Sequence, residues 1–405
     1  MEWLLSGKFG RPAAGAALAA RQVHDRVSVV DASLFSLPYD EALVGALIAA
    51  GLRAELVGRP LRLGEAAPSV PFRPRFYRRL DAAPRRLGAA GAALKAAEHL
   101  ADGLAVAARA EGLLHFQWLP FPLADTLVLR LCRRRGPVVA TVHDTTPFNG
   151  DPSHPLQARG FAAALAAAHR LVVHTAAGRD RIAGLGIAPE RIAIVPHGPL
   201  GEALPRRRPP SGRRFTLVAF GKMRPYKGLD VLVEALARLE PGASAGLRVV
   251  IAGEPMLDLA PMRRRIAEAR LGETVAVVPR RLDAGEMQAL LRSADGFVFP
   301  YRAIEASGVF FRVQGLGRWV IASRLGAFAE ALEDGVSGRL VAPDDPGALA
   351  AALREAAVAR PVPAAAPRVT GWDEIARATA AVYDAAWRDW AGGRGRAGDT
   401  APATR

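Results

Sequence analysis

Residues Phe215 to Ala237 read FTLVAFGKMRPYKGLDVLVEALA, and this stretch decides the fold. Phe215 to Phe220 is an apolar, partly β-branched run of the kind that forms a parallel strand buried on both faces. It stops at Gly221, and after Gly228 the apolar residues Leu229, Leu232, Val233 and Leu236 recur at helical spacing. The order is strand, cationic loop, helix. Lys222, Arg224 and Lys227 stand between the two glycines, directly ahead of a helix start whose free N–H groups and dipole favour an anion. A solvated charged face would use the same residues, because arginine is abundant throughout the chain. A second turn of the same kind tips the balance: Tyr301 to Gly308 follows the strand Gly296 to Pro300 and leads into another helix. Two such turns on one sheet suit a single phosphate-bearing ligand at its carboxyl edge.

Working outward, the chain has 405 residues, half of them apolar, which favours two domains with a core each. The net charge of +15 comes mainly from arginine, as lysine is scarce. Such a charge serves solubility or an anionic partner, and membrane phosphate fits better than nucleic acid because the bases cluster with apolar residues in one place. The single cysteine, Cys132, excludes a disulfide framework and a cysteine-rich metal site, consistent with a reducing, cytoplasmic compartment. No apolar run reaches the ~18 residues of a membrane-spanning helix. Residues 1–25 are read as an N-terminal extension rather than a signal peptide, because charges split their apolar pieces.

Strands alternating with helices fill residues 26–205, beginning with Arg26 to Asp31, a helix over Asp40 to Ala50 and a strand at Ala54 to Val57. The first connecting loop lacks the glycines of a dinucleotide-binding turn, which argues against NAD or FAD. Residues 206–214 read as a linker, residues 215–368 as a second α/β domain, and residues 369–391 as a last amphipathic helix expected to pack back on the first domain. The glycine- and arginine-rich tail, 392–405, is expected to be disordered. Phe72 to Leu87 places six arginines among Phe72, Phe76, Tyr77, Leu80 and Leu87. It reads either as a charged helix face or as a contact with an anionic membrane, with Arg75, Arg78 and Arg79 on lipid phosphates and Phe76 and Tyr77 wedged among acyl chains.

Two Rossmann-like, doubly wound parallel-sheet domains facing a cleft, with an anion loop opening the second, resemble the GT-B fold of family 4 glycosyltransferases. FGKMRPYKGLDVL, FVFPYRAIEASGVF and GRWVIASRLGAFAEALEDGVSGRLVAP are similar to that family's donor-domain signatures, and VVATVHDTTPFNG and IAIVPHG to its acceptor-side segments. The resemblance implies transfer of a sugar from a nucleoside-diphosphate sugar to a glycan, glycolipid or other acceptor with retention of configuration, without a metal or other cofactor. It implies that Lys227 and Arg224 meet the diphosphate together with Gly221, Lys222, Ser307, Gly308 and Val309, and that His143 reaches a donor-sugar hydroxyl. The nucleobase would lie against Pro279, Arg280 and Arg281. Many members carry two glutamates in the second turn; this chain has Ile304 and Arg312 at those positions, so the sugar contact passes to Glu305 and Arg312 stands on the ribose side. A catalytically silent scaffold and a nucleotide-sugar epimerase are the alternative readings. No nucleic-acid motif is present.

Overall fold

The computed structural model describes residues 25–80, 88–145, 160–200, 214–304, 307–364 and 369–398. The first sheet contains β1 (Arg26–Val30), β2 (Arg53–Gly58), β3 (Phe72–Pro74), β4 (Leu113–Phe116), β5 (Val138–Thr141), β6 (Arg170–Val173) and β7 (Ile192–Ile194). All neighbours are parallel, in the order β3-β2-β1-β4-β5-β6-β7. The second contains β8 (Phe215–Phe220), β9 (Leu247–Ala252), β10 (Val275–Val278), β11 (Gly296–Phe299), β12 (Trp319–Ser323) and β13 (Gly338–Val341), parallel in the order β10-β9-β8-β11-β12-β13. In both sheets the order reverses beside the first strand, which places a crevice at the carboxyl ends of β1 and β4 and of β8 and β11.

Helices cover both faces, which is why the strands are apolar at nearly every position rather than at alternate ones. In the second domain Phe215, Leu217 and Val249 pack under the helices Leu229–Ala237 and Pro346–Ala359, while Val218, Phe220, Phe297 and Phe299 face Phe310 and Phe328. In the first, Val27, Val29 and Leu56 meet the helix Leu37–Ala49 and, from the far end of the chain, Ile375, Val382 and Tyr383.

Those last residues belong to the helix Trp372–Gly398, which lies on the first domain. The Tyr383 hydroxyl is 2.8 Å from His115 Nδ1, whose Nε2 is 2.7 Å from Thr141 Oγ1. Arg170 donates two bonds to the Asp389 carboxylate, at 2.7 and 3.0 Å, and Trp390 Nε1 donates to the Arg133 carbonyl at 2.8 Å. The helix runs on through Gly392 to Gly398, into the segment expected to be disordered; residues 399–405 of that segment, and 1–24 of the N-terminal extension, lie outside the described residues.

The second difference from the sequence reading concerns Phe72 to Leu87, whose residues 81–87 are not described. The segment opens with β3, an edge strand of three residues that follows Pro71 and ends in Pro74, too short for a periodicity to register. Phe76 and Tyr77 are each 1% exposed, so they are core residues and not a membrane wedge. Tyr77 is held by a buried chain: its hydroxyl lies 2.7 Å from His99 Nδ1, and His99 Nε2 lies 2.6 Å from Asp125 Oδ1. Arg75, Arg78 and Arg79 remain exposed. Arg75 and Arg78 line a cavity of about 960 Å³ that also takes in Arg73 and Glu55, an ion pair at 2.5 Å.

Two contacts of the C-terminal helix differ in worth. Tyr383 is buried and its loss leaves His115 Nδ1 unpaired, so Tyr383→Ala should cost about 3–5 kcal/mol, read as a lowered urea midpoint. Asp389→Ala breaks a solvent-accessible pair and should cost about 1 kcal/mol or less.

Candidate active site at the domain cleft

The loop after β8 and the turn after β11 meet because two glycines let them. Gly221 has φ +97°, and a Cβ there would lie 2.9 Å from Lys227 Nζ and 2.9 Å from Val309 Cγ2. Gly228 has φ +61°, and its Cβ would fall 2.0 Å from the Pro300 carbonyl oxygen. No side chain fits at either position in this backbone conformation. Between them Pro225–Lys227 forms a single 3-10 turn that delivers Lys227 inward.

Lys227 is 6% exposed. Its ammonium donates to the Phe220 carbonyl at 3.4 Å and stands 5.5 Å from the centre of the Tyr301 ring. Burial, with a smaller contribution from Arg224, pulls its pKa down to about 8. The side chain therefore lies behind Gly221, which lines the cleft, while Lys227 and Arg224 themselves are not among the lining residues. Arg224 precedes the turn and is half-buried. Ser307 accepts a bond from Phe310 N at 3.4 Å and starts the helix Gly308–Gln314; a Cβ on Gly308 would meet only Leu200, at 4.0 Å. Glu305 lies outside the described residues.

The cleft between the domains is a cavity of about 760 Å³. Its first-domain wall includes Ser33, Leu34 and Phe35, from a loop fastened by the buried Asp31 carboxylate, which accepts from Ser33 N and Ser36 N at 3.2 and 2.9 Å. On the second-domain wall stand Gly221, Lys222, Arg281 and Arg312. Lys222, Arg281 and Arg312 are exposed, and with Glu254 and Asp283 on the same side the wall carries three cations against two carboxylates at the carboxyl edge of the sheet. Arg280, by contrast, is committed to Glu286 through bonds of 2.8 and 2.6 Å, and Pro279 beside it is half-buried.

His143 sits elsewhere. It is not among the residues lining this cavity but heads a row of histidines, each just beyond a strand end of the first sheet. His174 Nδ1 donates to the Val195 carbonyl at 3.0 Å, which leaves its Nε2 to accept from His143 Nδ1 at 3.1 Å. His143 Nε2, left as an acceptor, is 2.9 Å from the Oε1 position of the buried Gln117 carboxamide, whose NH2 is otherwise without a partner and donates there with the amide turned over. Trp118 stacks on the His143 ring at 5.1 Å, and His197 stacks on Phe311 of the second domain at 3.8 Å. Both His143 nitrogens are thus engaged, so the sugar contact implied by the resemblance requires one of these bonds to open.

Sequence reasoning missed His174, His197 and Gln117, although His143, His174 and His197 all follow apolar strands directly. It also passed over Arg302, which binds the two turns to each other. Arg75, Arg78 and Arg79 are absent from the cleft.

The chain matches the profile described as Glycosyltransferase Family 4 over residues 41–198 and the one described as Glycosyl transferases group 1 over residues 214–357. It is 31% identical over 298 residues to D-inositol 3-phosphate glycosyltransferase 1 of Catenulispora acidiphila, covering 66% of this chain and 70% of that one. With the glycogen synthase of Mycobacterium tuberculosis it shares 33% identity over 195 residues, 45% of each chain. Among solved structures it resembles Anabaena HepE in complex with UDP and glucose (TM-score 0.62, 16% identity, 91% of this chain and 95% of that one). It also resembles WaaG, a glycosyltransferase of lipopolysaccharide biosynthesis (TM-score 0.58, 15% identity, 90% and 98%).

Burial, reinforced by neighbouring histidines, sets the charge state of the row and of His115 within β4: His115 is pulled down to about 3, His174, by burial alone, to about 4, and His143 and His197 well below the ordinary value. A depressed histidine contributes stability that is full above its unfolded value of about 6.5 and is lost as pH falls towards the folded one. Ring resonances of these four should therefore stay unprotonated down to about pH 5, where an unfolded histidine is mostly charged; NMR titration checks this. The folded halves, the anion-suited turns and the matched relatives lead to one conclusion: the chain belongs to glycosyltransferase family 4 and has the GT-B fold.

Proposed function

We propose that this glycosyltransferase moves a sugar from a nucleoside-diphosphate sugar to a hydroxyl acceptor, a glycan, a lipid-linked sugar or another glycoconjugate precursor, with retention of configuration. The observation that carries the reading is the junction of Gly221, Lys227, Gly228 and Tyr301, which sets a buried ammonium behind a cleft wall of net positive charge. As the bond to the sugar breaks, negative charge grows on the distal phosphate. Lys227 and Arg224 would stabilise it without waiting for solvent to reorganise, the role a divalent cation has in other transferases. The similarity to a structure holding UDP and glucose, and to enzymes named for D-inositol 3-phosphate, supports a nucleotide-sugar donor and a polyhydroxylated acceptor.

Lys227→Ala, or Arg224→Ala, should lower turnover by about 10² to 10³, the scale for losing one preorganised charge stabiliser. Near-normal turnover in both single variants, with the fold intact, discards the diphosphate assignment. Donor hydrolysis without acceptor separates the enzyme from a silent scaffold on the same fold.

Work on the cytoplasmic face of a membrane is part of the proposal, resting on the exposed Arg75, Arg78 and Arg79. Among the described residues no helix is long and apolar enough to cross a membrane. Each arginine near an anionic surface contributes about 1 kcal/mol, and Phe76 and Tyr77, being buried, add no apolar wedge to it. Sedimentation with anionic vesicles should therefore be fully released by salt and abolished by replacing the three arginines with Ala. Retention at high salt, or on neutral vesicles, refutes a purely ionic contact.

A further inference from the structure

We infer that Arg302 is a positioning residue for Lys227: it clamps the turn that carries the lysine to the turn after β11, and the inference rests on the diphosphate reading of that loop. Arg302 follows Tyr301, the ring beneath the Lys227 ammonium. Its guanidinium donates to both Asp230 oxygens, at 2.7 and 2.7 Å, to the Pro225 carbonyl at 3.1 Å and to Asp344 Oδ1 at 2.8 Å. Its backbone N–H donates to the Tyr226 carbonyl at 2.8 Å. Two of the three residues of the Pro225–Lys227 turn thus give their carbonyls to one residue. Asp230 extends the hold to the first turn of the helix Leu229–Ala237, and Asp344 to the loop after β13. Three loops at the carboxyl edge of the donor-domain sheet are tied at one point.

Elsewhere the turn is held by packing and by local bonds: the Tyr226 ring meets Tyr301 edge to face at 5.7 Å, and the Lys227 ammonium meets the Phe220 carbonyl. Lys227 N donates to the Arg224 carbonyl at 3.0 Å and Gly228 N to the Pro225 carbonyl at 3.2 Å, the local bonds of any 3-10 turn. A rigid fork of donors reaches a carboxylate, a carbonyl and a second carboxylate together; a lysine ammonium in its place offers one point charge. As a contribution to folding, the cluster is modest, because the Arg302 side chain is 33% exposed and its partners more so. Its consequence is geometric: without it the turn that carries the buried ammonium loses its side-chain tie to the turn after β11.

The test is calorimetric titration of uridine diphosphate and guanosine diphosphate into the whole protein and its Arg302→Ala, Arg302→Lys, Lys227→Ala, doubly substituted Arg302→Ala/Lys227→Ala and Arg339→Ala variants. Arg339 is the control: it grips Glu355 with a similar side-chain exposure, 34%, on the same domain. Arg302→Ala should weaken the diphosphate that binds about tenfold or more, the scale of a lost charged hydrogen bond. Arg302→Lys should recover little, and Arg339→Ala should bind as wild type with a comparable melting temperature. The double variant should bind no more weakly than Lys227→Ala alone, since Arg302 acts through the lysine. Wild-type affinity in Arg302→Ala, or additive losses in the double variant, overturns the positioning role. Wild-type affinity in Lys227→Ala, or no binding of either diphosphate to the native protein, overturns the diphosphate reading and this inference with it.

Discussion

The structure depends on one close approach: the backbone of Gly228 against the carbonyl of Pro300, which joins the loop after β8 to the turn after β11. A Cβ there would overlap the oxygen outright, so the two turns can touch only through a residue without one. From that contact follow the inward path of Lys227, its burial beside Tyr301 and the shift of its pKa to about 8. A cation partly stripped of water stands ready for an anion, and the folding cost of burying it is met elsewhere in the domain.

The rest of the donor domain holds that junction still. Phe299, Tyr301, Phe310 and Phe328 pack edge to face beneath the turns, and Arg302 fastens them from the solvent side. The first domain presents a different surface, a row of neutral histidines whose last member stacks on Phe311 of the second. That contact and the Leu200 N to Phe311 carbonyl bond, at 3.1 Å, join the halves beside the cleft. The C-terminal helix returns the chain to the first domain, so β1 and the last helix share a core.

Much of this was legible in the residues. Buried parallel strands announce themselves as short apolar runs, and β8, β9 and β11 fall where those runs stand. Glycines flanking lysines and arginines marked the cationic loop, because its chemistry is local. Phe76 and Tyr77 show where such reading stops: aromatics among arginines have the composition of a membrane contact, yet a buried His99 and Asp125 from distant helices claim Tyr77 for the core. Burial depends on what the rest of the chain brings, and spacing along one segment does not carry it.

The sequence by itself therefore determined the two α/β halves, the anion-suited loop with Lys227 and the amphipathic last helix, since each follows from patterns within about a dozen neighbouring residues. Only the tertiary structure decided which arginines face the cleft and which are committed elsewhere. Arg312 and Arg281 line it, while Arg280 is taken by Glu286, and Arg302 by Asp230 and Asp344. It also decided that His143 is engaged on both nitrogens. The physical reason is one of partners: a charged or polar side chain does what its nearest opposite allows, and for Arg302 and His143 those partners arrive from other loops and strands.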